Sequence, residues 1–324
     1  MKLENTYALI GSTPLLRIRC ALEGRELCIY AKAEYYNLSG SIKDRMALRI
    51  LEQAEAEGAL RPGQPIVEMT SGNTGIAFAA LGALTKHPVH IFMPDWASAE
   101  RKALMKMYGA QLHPVSREQG GFHAALTMAR EAARELGAFE PRQFENKANP
   151  AAHYHGTGAE LLRQLPGVTD FVAGVGSGGT LTGTARRLKA DHAVRAAAVE
   201  PDAVPLLSGG RERGEHRIEG IGDSFIPPVL DRSLVDSVWD INDTDAVVMA
   251  ARLARELGLG VGISSGANFL GAAAQQQRFG GEAVATVFAD DSKKYLSTLL
   301  ADPPAPRPGS LAGRIELLGY ESLR

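Results

Sequence analysis

Short β-rich runs alternate with longer helix-like runs along most of this chain, and that alternation limits its fold more than any other feature. Residues 27–30 read as a strand, and 42–57 as a helix ending at Gly58. The pattern repeats as strand 65–69 and helix 74–84, strand 89–93 and helix 99–107, then strand 111–115 and helix 122–136. A polar, irregular stretch at 140–150 breaks the rhythm. Strand 170–174, helix 181–189 and strand 194–199 resume it, followed by helix 246–257, strand 283–288 and helix 294–299. Strands alternating with helices predict parallel sheets covered on both faces. With 324 residues the chain is too long for one small core, which predicts two lobes. The return between them is placed in the 140–150 stretch. From Ala301 to Gly309 the prolines cannot continue a helix and predict an extended arm. The closing residues, 311–324, read as a short docked helix or as disorder.

The formal net charge is −2, so there is no basic field for nucleic acid or an anionic membrane. No apolar run approaches the roughly 20 residues of a membrane helix. The opening Met1-Lys2-Leu3-Glu4-Asn5-Thr6 lacks the apolar core of a signal peptide, and a cytoplasmic location is expected. Cys20 and Cys28 fit neither a zinc pattern nor a secreted disulfide framework. His87/His90 and His153/His155 are the close histidine pairs. Pro88 interrupts the first, and no third ligand pattern accompanies either, so no metal is expected. His153 and His155 are expected to flank a cleft or to cap a helix.

Three glycine-rich loops carry the chemical signal. Gly174-Val175-Gly176-Ser177-Gly178-Gly179-Thr180 joins a strand to a helix. Its glycines let backbone N–H groups approach an anion, and the helix dipole favours negative charge there. The same segment satisfies a dinucleotide pattern through Gly174, Gly176 and Gly179, with an acid about 20 residues on at Glu200. A nicotinamide dehydrogenase is therefore a competing reading, although the motif lies mid-chain and leaves the other loops unexplained. Thr70-Ser71-Gly72-Asn73-Thr74-Gly75 concentrates donors at a helix start, which suits a carboxylate, or simply N-capping by Ser71 or Asn73. Gly262-Ile263-Ser264-Ser265-Gly266-Ala267-Asn268 is a third loop of this kind, in which Ser265 reads as a cap.

Asn37-Leu38-Ser39-Gly40-Ser41-Ile42-Lys43-Asp44-Arg45 opens a further helix, with Ser41 and Asp44 at capping-box spacing. Lys43 would lie in the first helical turn, where the dipole opposes a cation. Either it is a surface lysine paired with an acid, or its amine has a task. Taken in order, the Asn-x-x-Gly-Ser-x-Lys-Asp-Arg, Thr-Ser-Gly-Asn-Thr-Gly, Gly-x-Gly-Ser-Gly-Gly-Thr and Gly-Ile-Ser-Ser-Gly-Ala segments resemble the cysteine synthase family. Cystathionine β-synthases share the pattern. Gly11-Ser12-Thr13-Pro14-Leu15, Gln143-Phe144-Glu145-Asn146 and Glu219-Gly220-Ile221-Gly222 extend the resemblance over residues 8 to 300.

The resemblance implies an α/β protein of the second fold type of pyridoxal-phosphate enzymes, similar to tryptophan synthase β. It implies a larger cofactor-binding lobe (1–40 and 146–302), a smaller mobile substrate-binding lobe (41–145) and the proline-rich arm (303–324). Lys43 would hold pyridoxal 5′-phosphate as a Schiff base and move the Cα proton. Gly176, Ser177, Gly178, Gly179 and Thr180 would hold the phosphate, Asn73 the ring hydroxyl and Ser264 the ring nitrogen. Thr70, Ser71, Gly72, Thr74, Gln143 and Gly220 would bind the substrate. The expected reaction is β-replacement, O-acetylserine plus sulfide giving cysteine plus acetate; cystathionine formation and cysteine breakdown are the alternatives. A homodimer is implied, and a serine acetyltransferase is a candidate partner. Leu38, Ser12, Trp96, Gly120-Gly121-Phe122 and Asp223 depart from the family's common forms, and Trp96 and Asp223 are expected to bear on the size of the thiol admitted.

Overall fold

The structure is a computed structural model, and it describes residues 9–210 and 214–323. Residues 1–6, which lack the apolar core of a signal peptide, lie outside that range.

Two sheets form. The smaller is wholly parallel: β3 (Ile66–Met69), β4 (Val89–Pro94) and β5 (Gln111–Val115), in that order. Helices α1 (Lys43–Ala56), α2 (Asn73–Thr85) and α3 (Ala99–Met107) belong to this region, as does α4 (Gly121–Leu136). One face buries Ile66, Ile91 and Met93 with Met46, Leu51 and Phe78 of α1 and α2. The other buries Val67, Met69 and Phe92 under the alanine stripe Ala125, Ala129 and Ala133 of α4. That stripe recurs every four residues and gives α4 its inward face.

The larger sheet has seven strands. In chain order they are β1 (Leu15–Leu22), β2 (Arg25–Ala33), β6 (Asp170–Gly174), β7 (Arg195–Pro201), β8 (Ser237–Ile241), β9 (Val284–Phe288) and β10 (Ile315–Leu323). Their spatial order is β10-β1-β2-β9-β6-β7-β8, with β2 through β8 parallel and β1 antiparallel to both neighbours. The central strands are buried on both faces, as in the all-buried Val-Ala-Thr-Val-Phe of β9, and so carry no alternation. Helices α8 (Asp243–Leu257) and α9 (Ile263–Phe279) cover one face. On the other lie α6 (Ala159–Gln164) and α7 (Gly179–Asp191), reached through α5 (Ala148–His153) and a π-type turn at Tyr154–Gly158.

Several expectations need correction. Residues 311–323 are mostly strand rather than a docked helix or disorder. Leu311–Arg314 is one helical turn (α10), and Ile315–Leu323 closes the sheet edge against β1. Residues 294–299 do not form a helix; a 3-10 turn spans Ser292–Tyr295. The Ser-Ser-Gly segment is not a loop but the first turns of α9. Among the described residues no helix is long and apolar enough to cross a membrane.

A buried ionic knot fixes the N-terminal end of α1. The Arg45 guanidinium donates to Glu34 at 2.6 and 2.8 Å and to Glu160 at 2.7 and 2.8 Å. Lys32 Nζ reaches Glu160 at 2.7 Å and Thr13 Oγ1 at 2.7 Å. Arginine's rigid fork can satisfy two carboxylates together, which a buried ion pair requires. Lys43 stands two residues before Arg45, at the start of the helix that the knot anchors.

Candidate active site

A cleft lies where the two sheets meet. The C-terminal ends of the strands supply its walls, as expected for an open α/β sheet. Four segments far apart in sequence converge there: Lys43, the 70–74 loop, the 174–180 loop and Ser264. Gln143 and Gly220 line it as well. Of the residues expected to bind cofactor or substrate, Gly179 alone does not line it.

Lys43 opens α1 after Ile42 at the N-cap, and its N–H donates to the Ser41 hydroxyl at 3.3 Å. The capping box expected from Ser41 and Asp44 does not form. Asp44 instead accepts the Ser39 backbone N–H at 2.7 Å and its hydroxyl at 2.5 Å, closing the preceding turn. Burial lowers the Lys43 ammonium below its usual range, while Asp223 and Asp290 pull the other way. The Asp223 carboxyl is itself raised by burial, against the opposing pull of Lys43 and His216. The half-buried Lys43 amine and the Asp223 carboxyl thus share the cleft, and the amine is less costly to deprotonate than a surface lysine.

The 174–180 loop is glycine for packing reasons that the sequence cannot display. A Cβ on Gly176 would stand 2.3 Å from Gly220 O, and one on Gly179 would stand 1.9 Å from Asn149 Oδ1. Gly178 caps α7 in the left-handed region, at φ +81°. The first N–H groups of α7 have no partner within the helix and face the cleft end. Asn149, almost wholly buried, donates to Ser177 Oγ at 2.9 Å and to Gln143 O at 2.8 Å, joining this loop to the opposite wall. His153, also buried, lies within 3.3 Å of Thr180 Oγ1 and 3.0 Å of Thr157 Oγ1. Burial first, then Arg45 and Lys43, hold its imidazole well below the usual range, so the ring is neutral.

In the 70–74 loop, the Thr74 hydroxyl donates to Gln143 Oε1 at 2.7 Å, and Ser71 is exposed at the mouth. Thr70 Oγ1 accepts the Gly72 N–H at 3.3 Å. Neither Ser71 nor Asn73 caps α2 through its side chain; the N-cap is Gly72. Asn73 donates to Asp290 Oδ2 at 2.7 Å, and Tyr295 donates to the same oxygen at 2.8 Å. Asn73 Oδ1 is buried without a partner, an acceptor left open for a hydroxyl. Ser265 does not cap α9 but accepts the Ala289 N–H at 3.0 Å, tying α9 to the end of β9. Ser264 lines the cleft beside it.

The dinucleotide reading fails at Glu200, whose carboxylate already accepts the N–H groups of Leu207 and Ser208 at 2.8 and 2.9 Å. Of the departures, Asp223 and Phe122 line the cleft, whereas Trp96 lies outside its wall, half-exposed under the Arg117 guanidinium. Among the described residues no group of three or more His, Cys, Asp or Glu side chains gathers as for a metal. The sequence reading missed Asn149, Asp290 and Arg101. Acids immediately past the end of strand 283–288 were a usable signal for Asp290. Nothing periodic marks Asn149. Arg101 is buried, pairs with Glu219 and lies over the Tyr295 ring.

The cleft offers an amine of lowered basicity, a glycine-led helix terminus for a phosphate and an open acceptor for a ring hydroxyl. These are the complements of a phosphorylated aromatic aldehyde. Comparison with known proteins agrees. The pyridoxal-phosphate dependent enzyme family matches residues 7–290. The chain is 43% identical over 303 residues to the cysteine synthase of Staphylococcus aureus (strain Mu50 / ATCC 700699), covering 92% of this chain and 96% of that protein. A hydrogen sulfide-producing enzyme from Fusobacterium nucleatum superposes with a TM-score of 0.96 at 44% identity, covering 99% of this chain and 98% of that one. O-acetyl serine sulfhydrylase isoform 3 from Entamoeba histolytica superposes at 0.86 with 32% identity, covering 96% and 95%. The chain belongs to the pyridoxal-phosphate dependent enzymes, within the cysteine synthase family.

Proposed function

We propose that the protein carries out β-replacement on O-acetyl-L-serine, with sulfide as nucleophile, giving L-cysteine and acetate. The observation that carries this reading is the Lys43 amine, lowered by burial and faced by Asp223 at the junction of all the donor loops. Pyridoxal phosphate, when bound, supplies an electron sink that makes the substrate Cα–H acidic. In this reading Lys43 holds the cofactor and, once freed as a neutral amine, takes the Cα proton. The N–H groups and hydroxyls of Gly176, Ser177, Gly178, Gly179 and Thr180 hold the phosphate; Asn149 and His153 keep Ser177 and Thr180 in place. Asn73 meets the ring hydroxyl. Ser264 meets the ring nitrogen, and a hydroxyl there favours a protonated ring less than a carboxylate does. Thr70, Ser71, Gly72, Thr74 and Gln143 clamp the substrate carboxylate, with Gly220 closing the opposite side. Asp223 handles the sulfur's proton.

Residues 41–145 serve as the mobile substrate lobe against 1–40 and 146–302, with 303–324 as an arm that returns to the larger lobe. The working unit is a homodimer in the cytoplasm, and serine acetyltransferase is a partner whose tail would enter this same cleft.

A second reading, release of sulfide from cysteine, is favoured by Asp223, because a cleft acid can protonate a departing sulfur. Steady-state kinetics separate the two. We expect O-acetylserine with sulfide to give a higher kcat/KM than cysteine alone gives for sulfide release. The opposite order would assign the enzyme to breakdown.

A further inference from the structure

Asp290 stands two residues past the end of β9, fully buried and behind the wall of the cleft rather than in it. Its backbone is tied on two sides. The Asp290 carbonyl accepts the Gly262 N–H at 3.0 Å where α9 begins, and Asp290 forms an antiparallel bridge with Ser41 just ahead of α1. Gly262 also makes room for the carboxyl, since a Cβ there would stand 2.0 Å from Asp290 Oδ1 and 2.8 Å from the Tyr295 ring. Asp290 Oδ2 takes two donors, Asn73 Nδ2 at 2.7 Å and the Tyr295 hydroxyl at 2.8 Å, while Oδ1 is buried without a partner. A half-satisfied buried carboxyl is a poor structural device, because the bare oxygen costs stability. Its position therefore calls for another reason.

That reason lies in the two ends of the Asn73 amide, of which Nδ2 donates and Oδ1 accepts. An oxygen that receives two donors turns Asn73 Nδ2 toward itself. What remains for the cleft is Asn73 Oδ1, buried and unpartnered. Asn73 opens α2 beside the smaller sheet and Asp290 follows a strand of the larger one, so the choice of end is imposed across the junction of the two.

We propose that Asp290 is a positioning residue that decides, through Asn73, whether the cofactor's ring hydroxyl keeps its proton. Facing an acceptor, the ring oxygen retains the proton. Facing the amide N–H, it would give the proton to the nitrogen joined to Lys43. The proposal rests on the reading that Asn73 meets the ring hydroxyl, and adds which partner holds the proton and what enforces it. Asp290 also draws on the Lys43 ammonium by charge. A direct effect on that nitrogen is the rival route, and the test separates the two.

The absorption spectrum of the holoenzyme reads the proton, because the form with the hydroxyl intact absorbs in the near ultraviolet and the form that has passed its proton to nitrogen absorbs in the visible. Wild type should show both bands. In Asp290→Ala the released amide can turn, and the ratio of visible to near-ultraviolet absorbance should rise roughly two- to tenfold, as for one neutral hydrogen bond exchanged. Tyr295→Phe removes the other donor but leaves Asp290 holding Asn73, so it should keep the wild-type ratio. Asn73→Ala should alter the ratio, and adding Asp290→Ala to it should change nothing further, since the two act as one unit. An unchanged ratio in Asp290→Ala, an equal shift in Tyr295→Phe, or a further shift in the double variant would each overturn the proposal, the last in favour of the rival route. Should Asp290→Ala fold poorly or lose the cofactor, Asp290→Ser takes its place with the same expected direction. An Asn73→Ala spectrum identical to wild type would strike down the ring-hydroxyl contact and the proposal with it. Failure of the β-replacement reading, by contrast, shows in the kinetics and leaves this ratio untouched.

Discussion

Ser264 and Ser265 are neighbours in the first turn of α9, yet their surroundings differ. Ser264 lines the cleft, while Ser265 is fully buried and holds the Ala289 N–H. Ser265→Ala should therefore lower thermal stability, by about 1–3 kcal/mol for an orphaned buried N–H, with the visible spectrum of the cofactor retained. Ser264→Ala should leave the melting temperature nearly unchanged and lower kcat. Thermal melts and kinetics on the two variants check this, and exchanged effects would mean that the loop is misassigned by one position. The sequence alone assigned Ser265 to capping because a cap and a long-range acceptor look alike in one dimension. Two other residue-scale misses have the same origin: Asn149 and Arg101 act through Ser177 and Glu219, partners distant in sequence that no local pattern encodes.

At the scale of elements, the parallel strands and their helices were legible because each strand is a short apolar run bounded by turn residues. Helix α3 and strands β5 and β6 match the expected limits residue for residue. The misses share a physical character. Strands β1, β8 and β10 lie at or near the sheet edge and mix charged with apolar residues, as in Leu-Leu-Arg-Ile-Arg-Cys-Ala-Leu of β1, so they do not read as core strands. Helix α9 opens on Gly-Ile-Ser-Ser-Gly, which resembles a loop until its packing against α8 is known. Two carboxyls should make stability respond to pH in opposite ways. Glu160, held to about 2 by Arg45 and Lys32 despite its burial, has a folded value below its unfolded one. Its contribution is present above the ordinary carboxylate range and is lost as pH falls toward 2. Glu68, pushed up to about 8 by burial, is protonated in the folded chain where the unfolded chain is ionised. It should cost stability increasingly as pH rises from the ordinary carboxylate range to about 8. Denaturant melts of Glu160→Gln should show a flatter acid limb than wild type at lower overall stability. Glu68→Gln should gain stability between neutral pH and pH 8, and a wild-type profile unaltered by either change would contradict these assignments.

For the whole molecule, the two sheets are joined by more than chain connectivity. Glu100 of α3 accepts both the N–H and the hydroxyl of Ser297, at 2.7 and 2.8 Å, beside the Arg101–Glu219 pair. At the far edge, Arg252 donates to Ala312 O and Ile315 O, both at 2.7 Å, and seats the returning strand β10 on β1. Deleting residues 311–324 should leave the β1 edge unpaired. The truncated protein should melt at a lower temperature and aggregate more readily, as judged by light scattering, while cofactor absorbance at low temperature persists. The catalytic centre is defined by where the cofactor is attached. Borohydride reduction of the isolated holoenzyme, followed by proteolysis and mass spectrometry, reads that directly. A single phosphopyridoxyl label should appear on the peptide containing Lys43, with the visible band bleached in parallel and no label in Lys43→Ala. Label on Lys32, Lys294 or any other lysine, or no label at all, would contradict it.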